Sequence, residues 1–382
     1  MAELNETPRG NRIHIAFFGL RNAGKSTLVN AFTGQQIAIV SDVPGTTTDP
    51  VSKAMEILPL GPCLITDTAG LDDEGELGEQ RVSKSLKVLE TVDIAVWVCG
   101  AEDIPAPEDI REGCKRRGAV LLEYRRGESV EELKKKIAAV KLEEAMPGLL
   151  DGLVQKGDRV LCVVPIDASA PKGRLILPQQ QVVRECLDRH VAVLVCQPDE
   201  LFDCLDFGLH DLKGRMLVVT DSQAFGLINE TVKQSTGQKI RLTSFSVLFA
   251  RQKGDLDEFV KGLEAIKGLK DGDTVLVAEG CTHHRQCNDI GTVKIPKALE
   301  KLSGRKLKFE FASGGSFEIQ QSNNQTIKQF SLVVHCGGCM LTRREMLRRI
   351  ELAKEAGVPI VNYGLVLAMA NGIDVESLKF KV

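Results

Sequence analysis

The sequence predicts an α/β protein of three domains, each built on a mainly parallel sheet with flanking helices. Three observations predict it. Short apolar runs recur along the chain: Ile13 to Phe18, Asp93 to Val98, Val160 to Pro165, Val191 to Cys196, Met216 to Thr220 and Asp273 to Gly280. Continuous runs of that length suit strands buried on both faces of a parallel sheet. Segments of helical spacing separate them, near 107–117, 129–139, 178–189, 199–206, 222–235 and 342–356, and such alternation builds parallel sheets with crossover helices. Finally, 382 residues are too many for one ordinary core.

Turn-forming pairs at Pro147-Gly148 and Lys156-Gly157 punctuate the pattern. The domains are therefore expected at 1–150, 156–254 and 255–382. Hydrophobic residues at 43% and charged residues at 26% are those of a soluble globular chain. A net charge of -3 and the lack of a lysine/arginine block argue against a nucleic-acid partner. No apolar run approaches a membrane span, and too little chain precedes Ile13 for a cleavable signal. Eleven cysteines without a disulfide-like framework fit a reducing, cytoplasmic setting. Cys63, Cys99, Cys162 and Cys196 lie in or beside apolar runs, where a free thiol packs as a small hydrophobe. Cys281, Cys287, Cys336 and Cys339 instead crowd into two short segments with three of the six histidines.

The strand-like run Ile13 to Phe18 leads directly into Gly19-Leu20-Arg21-Asn22-Ala23-Gly24-Lys25-Ser26, and helical spacing begins at Ser26-Thr27. Strand, glycine-rich turn and helix start are the context of a phosphate-binding loop. The glycines let backbone N–H groups close on phosphates, Lys25 reaches the outer phosphates, and the Ser26 hydroxyl ligates Mg²⁺. Gly45-Thr46-Thr47-Thr48-Asp49 then reads as a first switch loop, with a threonine such as Thr47 closing over Mg²⁺. Asp67-Thr68-Ala69-Gly70 ends a strand, with Asp67 toward Mg²⁺ and Gly70 beside the terminal phosphate. The set resembles the potassium-activated GTPases. That resemblance implies K⁺ at the residue matching Asn22 and, with Leu71 where a water-orienting glutamine often stands, slow GTP hydrolysis. No Asn-Lys-x-Asp sequence follows, and about one strand–helix unit that would carry it is missing after Tyr124. Phosphate and Mg²⁺ binding with weakened discrimination between GTP and ATP is the expectation.

The stretch from Asp158 to 235 carries no motif with a mechanism. Asp167 and Asp221 follow strand ends, where turn and capping roles explain them. A chemically silent α/β layer points to architecture, with dimerisation the obvious task.

Near the C-terminus, Cys281 and His283 sit beyond one strand, and His335-Cys336-Gly337-Gly338-Cys339 ends another. Parallel neighbouring strands would bring both segments to one sheet end. The Cys-x-x-Cys spacing lets two thiolates reach one metal, the glycines admit a bulky guest, and a helix start near 342 favours thiolate. Structural zinc, a 4Fe-4S cluster and a redox dithiol all use such residues. Zinc ribbons pair two knuckles and only one exists here, while a dithiol leaves Cys281 and His283 unexplained.

Cys-x-His followed by His-Cys-x-x-Cys resembles the signature of HydF, the FeFe-hydrogenase maturation GTPases. The phosphate loop, 45–51, Asp67 to Gly70 and the run Asp167 to Pro178 are similar too. The resemblance implies a P-loop GTPase domain, an α/β dimerisation domain and a Rossmann-like cluster-binding domain. It implies a 4Fe-4S cluster on Cys281, Cys336 and Cys339, with His283 and His335 as candidate fourth ligand or cluster neighbours. It further implies GTP, Mg²⁺ and K⁺, a homodimer, a transient di-iron precursor made with two radical-SAM proteins, and delivery to apo FeFe-hydrogenase. A ribosome- or tRNA-associated GTPase with structural zinc is the alternative.

Overall fold

The computed structural model describes residues 9–34, 51–73, 75–125, 127–142, 147–166, 175–209, 214–234, 240–280, 289–314, 327–338 and 341–372. The chain divides into two compact units, Met1–Ala145 and Met146–Val382.

In the first unit the elements run β1 (Ile13–Phe18), α1 (Lys25–Thr33), β2 (Val51–Ile57), β3 (Gly61–Asp67), α2 (Glu76–Leu89), β4 (Ile94–Val98), α3 (Glu108–Arg116), β5 (Val120–Tyr124) and α4 (Val130–Ala138). They form one five-stranded sheet of order β2-β3-β1-β4-β5. Only β2 runs antiparallel, pairing Val51 with Asp67. The central strands β1 and β4 are buried almost throughout, as strands covered on both faces must be. The sheet separates two apolar layers, one around Phe17, Phe32 and Ile137, the other around Phe18, Trp97 and Ile110. The edge strand β5 is only half-buried, and α4 after it starts on a capping box between Ser129 and Glu132.

The second unit holds two four-stranded sheets. The first comprises β6 (Arg159–Val163), α5 (Leu177–Asp188), β7 (Ala192–Cys196), α6 (Leu201–Leu209), β8 (Met216–Thr220), α7 (Phe225–Gln234) and β9 (Ile240–Ser244). Its order is β7-β6-β8-β9, parallel throughout. Helices α8 (Phe245–Lys253) and α9 (Leu256–Ala265) lead to β10 (Thr274–Glu279). A π-helical turn at Ile290–Lys294 precedes α10 (Ile295–Ser303), β11 (Lys308–Ser313), β12 (Leu332–His335), α11 (Arg343–Glu355), β13 (Ile360–Asn362) and α12 (Tyr363–Ala370). The order β11-β10-β12-β13 is again all parallel.

Both sheets thus place their first strand second and their third strand beside it. The chain leaves the first strand toward one side and returns on the other, which opens a crevice at the carboxyl ends of the first and third strands. In the last sheet that crevice lies between β10 and β12. No helix among the described residues is long and apolar enough to cross a membrane.

Candidate functional site

The phosphate loop begins where β1 ends. Gly19 lies against the neighbouring strand, and a Cβ there would meet the Val98 carbonyl oxygen at 2.7 Å. Asn22 and Gly24 both adopt left-handed backbone, with φ of 59° and 88°. Left-handed residues bordering right-handed ones turn successive N–H groups inward, the geometry of an anion-binding nest. Gly24 is the N-cap of α1, so the unpaired N–H groups of that helix also face the loop. Ala23 closes the turn by donating to Leu20 O, while Thr27 is exposed on the first turn of α1.

Lys25 is buried, and its Nζ donates to the carbonyls of Leu20 at 2.7 Å and Gly19 at 3.2 Å. Burial lowers its pKa, with Asp67, Asp72 and Asp73 pulling the other way. The Ser26 hydroxyl donates to Asp67 Oδ2 at 2.6 Å. Asp67 is wholly buried, and its Oδ1 has no hydrogen-bond partner among the described residues. Burial pushes its carboxyl up, opposed by the Ser26 bond and the Lys25 charge. A buried carboxylate oxygen without a donor beside a hydroxyl is a donor set for a hard cation such as Mg²⁺.

Thr68 Oγ1 donates to Phe17 O at 2.7 Å, tying the ends of β3 and β1, and Ser85 holds the Ala69 carbonyl. Gly70 passes so close to the loop that a Cβ would lie 2.8 Å from Arg21 N. Leu71 N–H donates to Gly19 O at 3.3 Å, and Arg21 N–H to the Asp72 carboxylate. Asp73 receives Arg21 and Arg81. Asp72 and Asp73 escaped the sequence reading because they belong to no phosphate-binding pattern. Gly45, Thr46, Thr47, Thr48 and Asp49 lie outside the described residues.

The second candidate site lies at the crevice between β10 and β12. Ala278 pairs with His335, and the ladder continues one step further through Cys336 N–H to Ala278 O at 2.8 Å. Gly280 N–H then donates to Cys336 Sγ at 3.1 Å. The Cys336 thiol therefore touches the residue immediately before Cys281. Cys281, His283 and Cys339 lie outside the described residues, as do His284 and Cys287. Among the described residues no three His, Cys, Asp or Glu side chains gather as a metal-binding group.

His335 is completely buried. Its Nδ1 is 2.8 Å from Cys336 O and its Nε2 is 2.9 Å from Arg349 Nη1. Desolvation, and then the Arg349 charge, bring its pKa down to about 3. The ring is neutral, with Nδ1–H donating to the carbonyl and Nε2 accepting from the guanidinium. Arg349, 1% exposed, also reaches Glu345 at 2.7 Å and Gly314 O at 2.9 Å. Asn362 Nδ2 approaches Cys336 O at 3.5 Å. Gly338 has φ 62°, and the N-cap of α11, Thr342, follows closely, which places a helix N-terminus beside the loop.

The scattered cysteines behave as expected of core thiols. Cys63, Cys99, Cys162 and Cys196 are buried, and burial raises all four, Cys63 to about 11 and Cys196 to about 12. Asp221 receives Gln179 at 3.5 Å, and Asp167 lies outside the described residues.

Comparison with known proteins matches three family models. Residues 149–254 match the hydrogen maturase F dimerization domain and residues 257–380 its tetramerization domain. Residues 14–133 match the model described as 50S ribosome-binding GTPase. Among curated relatives, the tRNA modification GTPase MnmE of Zymomonas mobilis is 31% identical over 183 residues, 46% of this chain and 38% of that protein. GTPase Der of Xylella fastidiosa is 42% identical over 102 residues, 26% of this chain and 22% of that protein. The chain thus spans well under half the length of these relatives. Among solved structures, Era from Aquifex aeolicus aligns at 14% identity over 81% of this chain and 96% of that one, with a TM-score of 0.25.

Proposed function

The chain belongs to the hydrogen maturase F family, and from that premise we propose that it is a nucleotide-switched carrier for building the metal site of an FeFe-hydrogenase. In this reading a 4Fe-4S cluster sits on Cys281, Cys336 and Cys339, and a di-iron precursor, made with two radical-SAM partners, passes through it to apo-hydrogenase. The observation that carries the reading is the Gly280 N–H bond to Cys336 Sγ. It sets the Cys336 thiol against Gly280, the residue before Cys281, which supports a shared site, and N–H donors to cysteine sulfur are what clusters of this type use.

The residues present fit such a group: the half-buried Cys336 thiol, Gly337 with open space beside it, and a helix N-terminus. When bound, the cluster supplies an iron coordination position that a bridging ligand can enter and leave. His335 is assigned an orienting role, because both ring nitrogens are engaged within the fold. His283 is then the candidate fourth ligand.

In the first unit, GTP binds on residues 19–27 with Mg²⁺ at Ser26, Thr47 and Asp67 and with K⁺ at Asn22. Gly70 is the contact through which loss of the terminal phosphate would reach the following loop, since it abuts Arg21. Hydrolysis is slow because Leu71 offers no hydrogen bond to orient water, and guanine is weakly selected. Residues 149–254 make a homodimer and 257–380 support higher assembly. The ribosome-associated alternative draws support from 14–133 alone.

Anaerobically purified protein tests the reading. Iron and sulfide in cluster stoichiometry are expected, with a brown chromophore lost in Cys336→Ser. A colourless protein containing zinc would reject it.

A further inference from the structure

We propose that Asp72 is a specificity-determining residue of the nucleotide site, one that weakens triphosphate binding relative to diphosphate. The inference rests on the nucleotide reading above and goes beyond it to a residue outside every phosphate-binding pattern. Residues 70–73 are zipped onto the phosphate loop. A Cβ on Gly70 would lie 2.8 Å from Arg21 N. Leu71 N–H donates to Gly19 O at 3.3 Å. The Asp72 carboxylate accepts from Arg21 N–H, and Asp73 faces the Arg21 guanidinium at 3.8 Å.

The contact to a backbone N–H sets Asp72 apart. Arg21 lies between Gly19 and Gly24, and the left-handed backbone of Asn22 beside it helps turn successive N–H groups into an anion nest. A carboxylate seated on an N–H of this loop is an anion on the very wall that receives phosphate. Burial lowers the Lys25 pKa, and Asp72 and Asp73 are among the charges that oppose it. Both carboxylates therefore lie within electrostatic reach of the ammonium that takes the outer phosphates. They differ in what offsets them. Asp73 meets a guanidinium at each oxygen, Arg21 at 3.8 Å and Arg81 at 3.4 Å. Asp72 is exposed and is held by the loop's own N–H. The terminal phosphate brings added negative charge to Lys25, within reach of Asp72, whereas a diphosphate ends one group short. The triphosphate thus favours an arrangement in which Asp72 leaves Arg21 N–H. By linkage, Asp72 weakens triphosphate affinity as much as the terminal phosphate weakens the Asp72 contact. Residues 70–73 lie on the connection from β3 to α2, so their release is a movement by which nucleotide state leaves the site.

The test measures affinities of full-length wild type, Asp72→Asn and Asp72→Glu for GDP and for a non-hydrolysable GTP analogue, by fluorescent-nucleotide competition with Mg²⁺ present. The Asn variant removes the charge and keeps an oxygen for Arg21 N–H. It is expected to bind the analogue about ten-fold tighter, within the usual range of coupling between sites, with GDP affinity unchanged. The Glu variant keeps the charge and is expected to stay near the wild-type ratio. An unchanged analogue-to-GDP ratio in Asp72→Asn overturns the inference. So does an Asn variant that binds both nucleotides more weakly, which would make Asp72 a support of the loop. If both variants tighten the analogue alike, the charge is not the cause and the inference fails. Wild type that binds neither nucleotide would instead reject the nucleotide reading, and the role of Asp72 with it.

Discussion

Asp67 shows how much a single carboxylate can reveal. It is fully buried, one oxygen takes the Ser26 hydroxyl, and the other has no donor among the described residues. Leaving a buried carboxylate oxygen unsatisfied is unfavourable unless a cation or its water shell completes it. Ser26→Ala should then act through the cation and not through folding. Removing a hydrogen bond to a charged group costs about 1.5–3 kcal/mol, so Mg²⁺-dependent GTP affinity should fall about ten- to hundred-fold. A fluorescent-nucleotide titration with and without EDTA checks it. An equal loss under both conditions would assign the hydroxyl to the loop's own structure. The phosphate loop was legible because it is local and made by the backbone. The roles around His335 were not. Its position beside Cys336 is plain in the sequence, but the ring's neutrality depends first on its burial and then on Arg349, 14 residues away, and Gly338 of the cysteine loop is held by Lys253, 85 residues from it. Neither residue has a motif to mark it.

At the scale of elements, the central parallel strands could be read from continuous apolar runs, since both faces are covered. Other elements gave no such signal. The three-residue strand β13 is too short to show a period. Helix α12 is apolar almost throughout, because α8, α9 and α10 surround it, so it lacks the one-sided pattern of a surface helix. The edge strands β2 and β11 mix polar and apolar residues because they are half-covered. One contact between elements is decided by a missing side chain. Where α9 crosses β13, a Cβ on Gly262 would run into the carbonyl of Ile360 and come 3.0 Å from Val361 N. Those atoms belong to a sheet strand and cannot rotate aside as a side chain can. Gly262→Ala should therefore destabilise by about 1–3 kcal/mol, the cost of overpacking. Gly268→Ala, with nothing within 4 Å of the added atom, should stay within about 0.5 kcal/mol of wild type. Urea denaturation of the two variants separates the outcomes, and equal stability would mean that α9 moves away freely.

For the whole molecule, the apolar cores decide which parts can stand alone. The two cores of the first unit draw only on residues 13–142, and the three of the second only on residues from Leu149 onward. Within the second unit the division is not so clean. Helix α8 gives Phe245, Leu248 and Phe249 to one core and Val247 and Ala250 to another. Phe225 of α7 joins the core of the last sheet as well, and Asn371 donates to Ser222 O across the two sheets. A boundary drawn at 254/255 from the sequence therefore falls after a helix that both sheets need. Residues 146–382 expressed alone should melt cooperatively and take up iron like the full chain, while binding no GTP. Residues 255–382 alone lose Phe225, Val247 and Ala250 from their core and lose Lys253 from the cysteine loop. Loss of the Phe225 side chain alone is worth about 3–5 kcal/mol, against a total stability of about 5–15 kcal/mol. The shorter fragment should therefore unfold without a cooperative transition and fail to hold iron. Circular dichroism melts with anaerobic iron analysis of the two fragments measure this. Cooperative melting and full iron loading by 255–382 would show instead that the last sheet is self-sufficient and that α8 serves the first sheet alone.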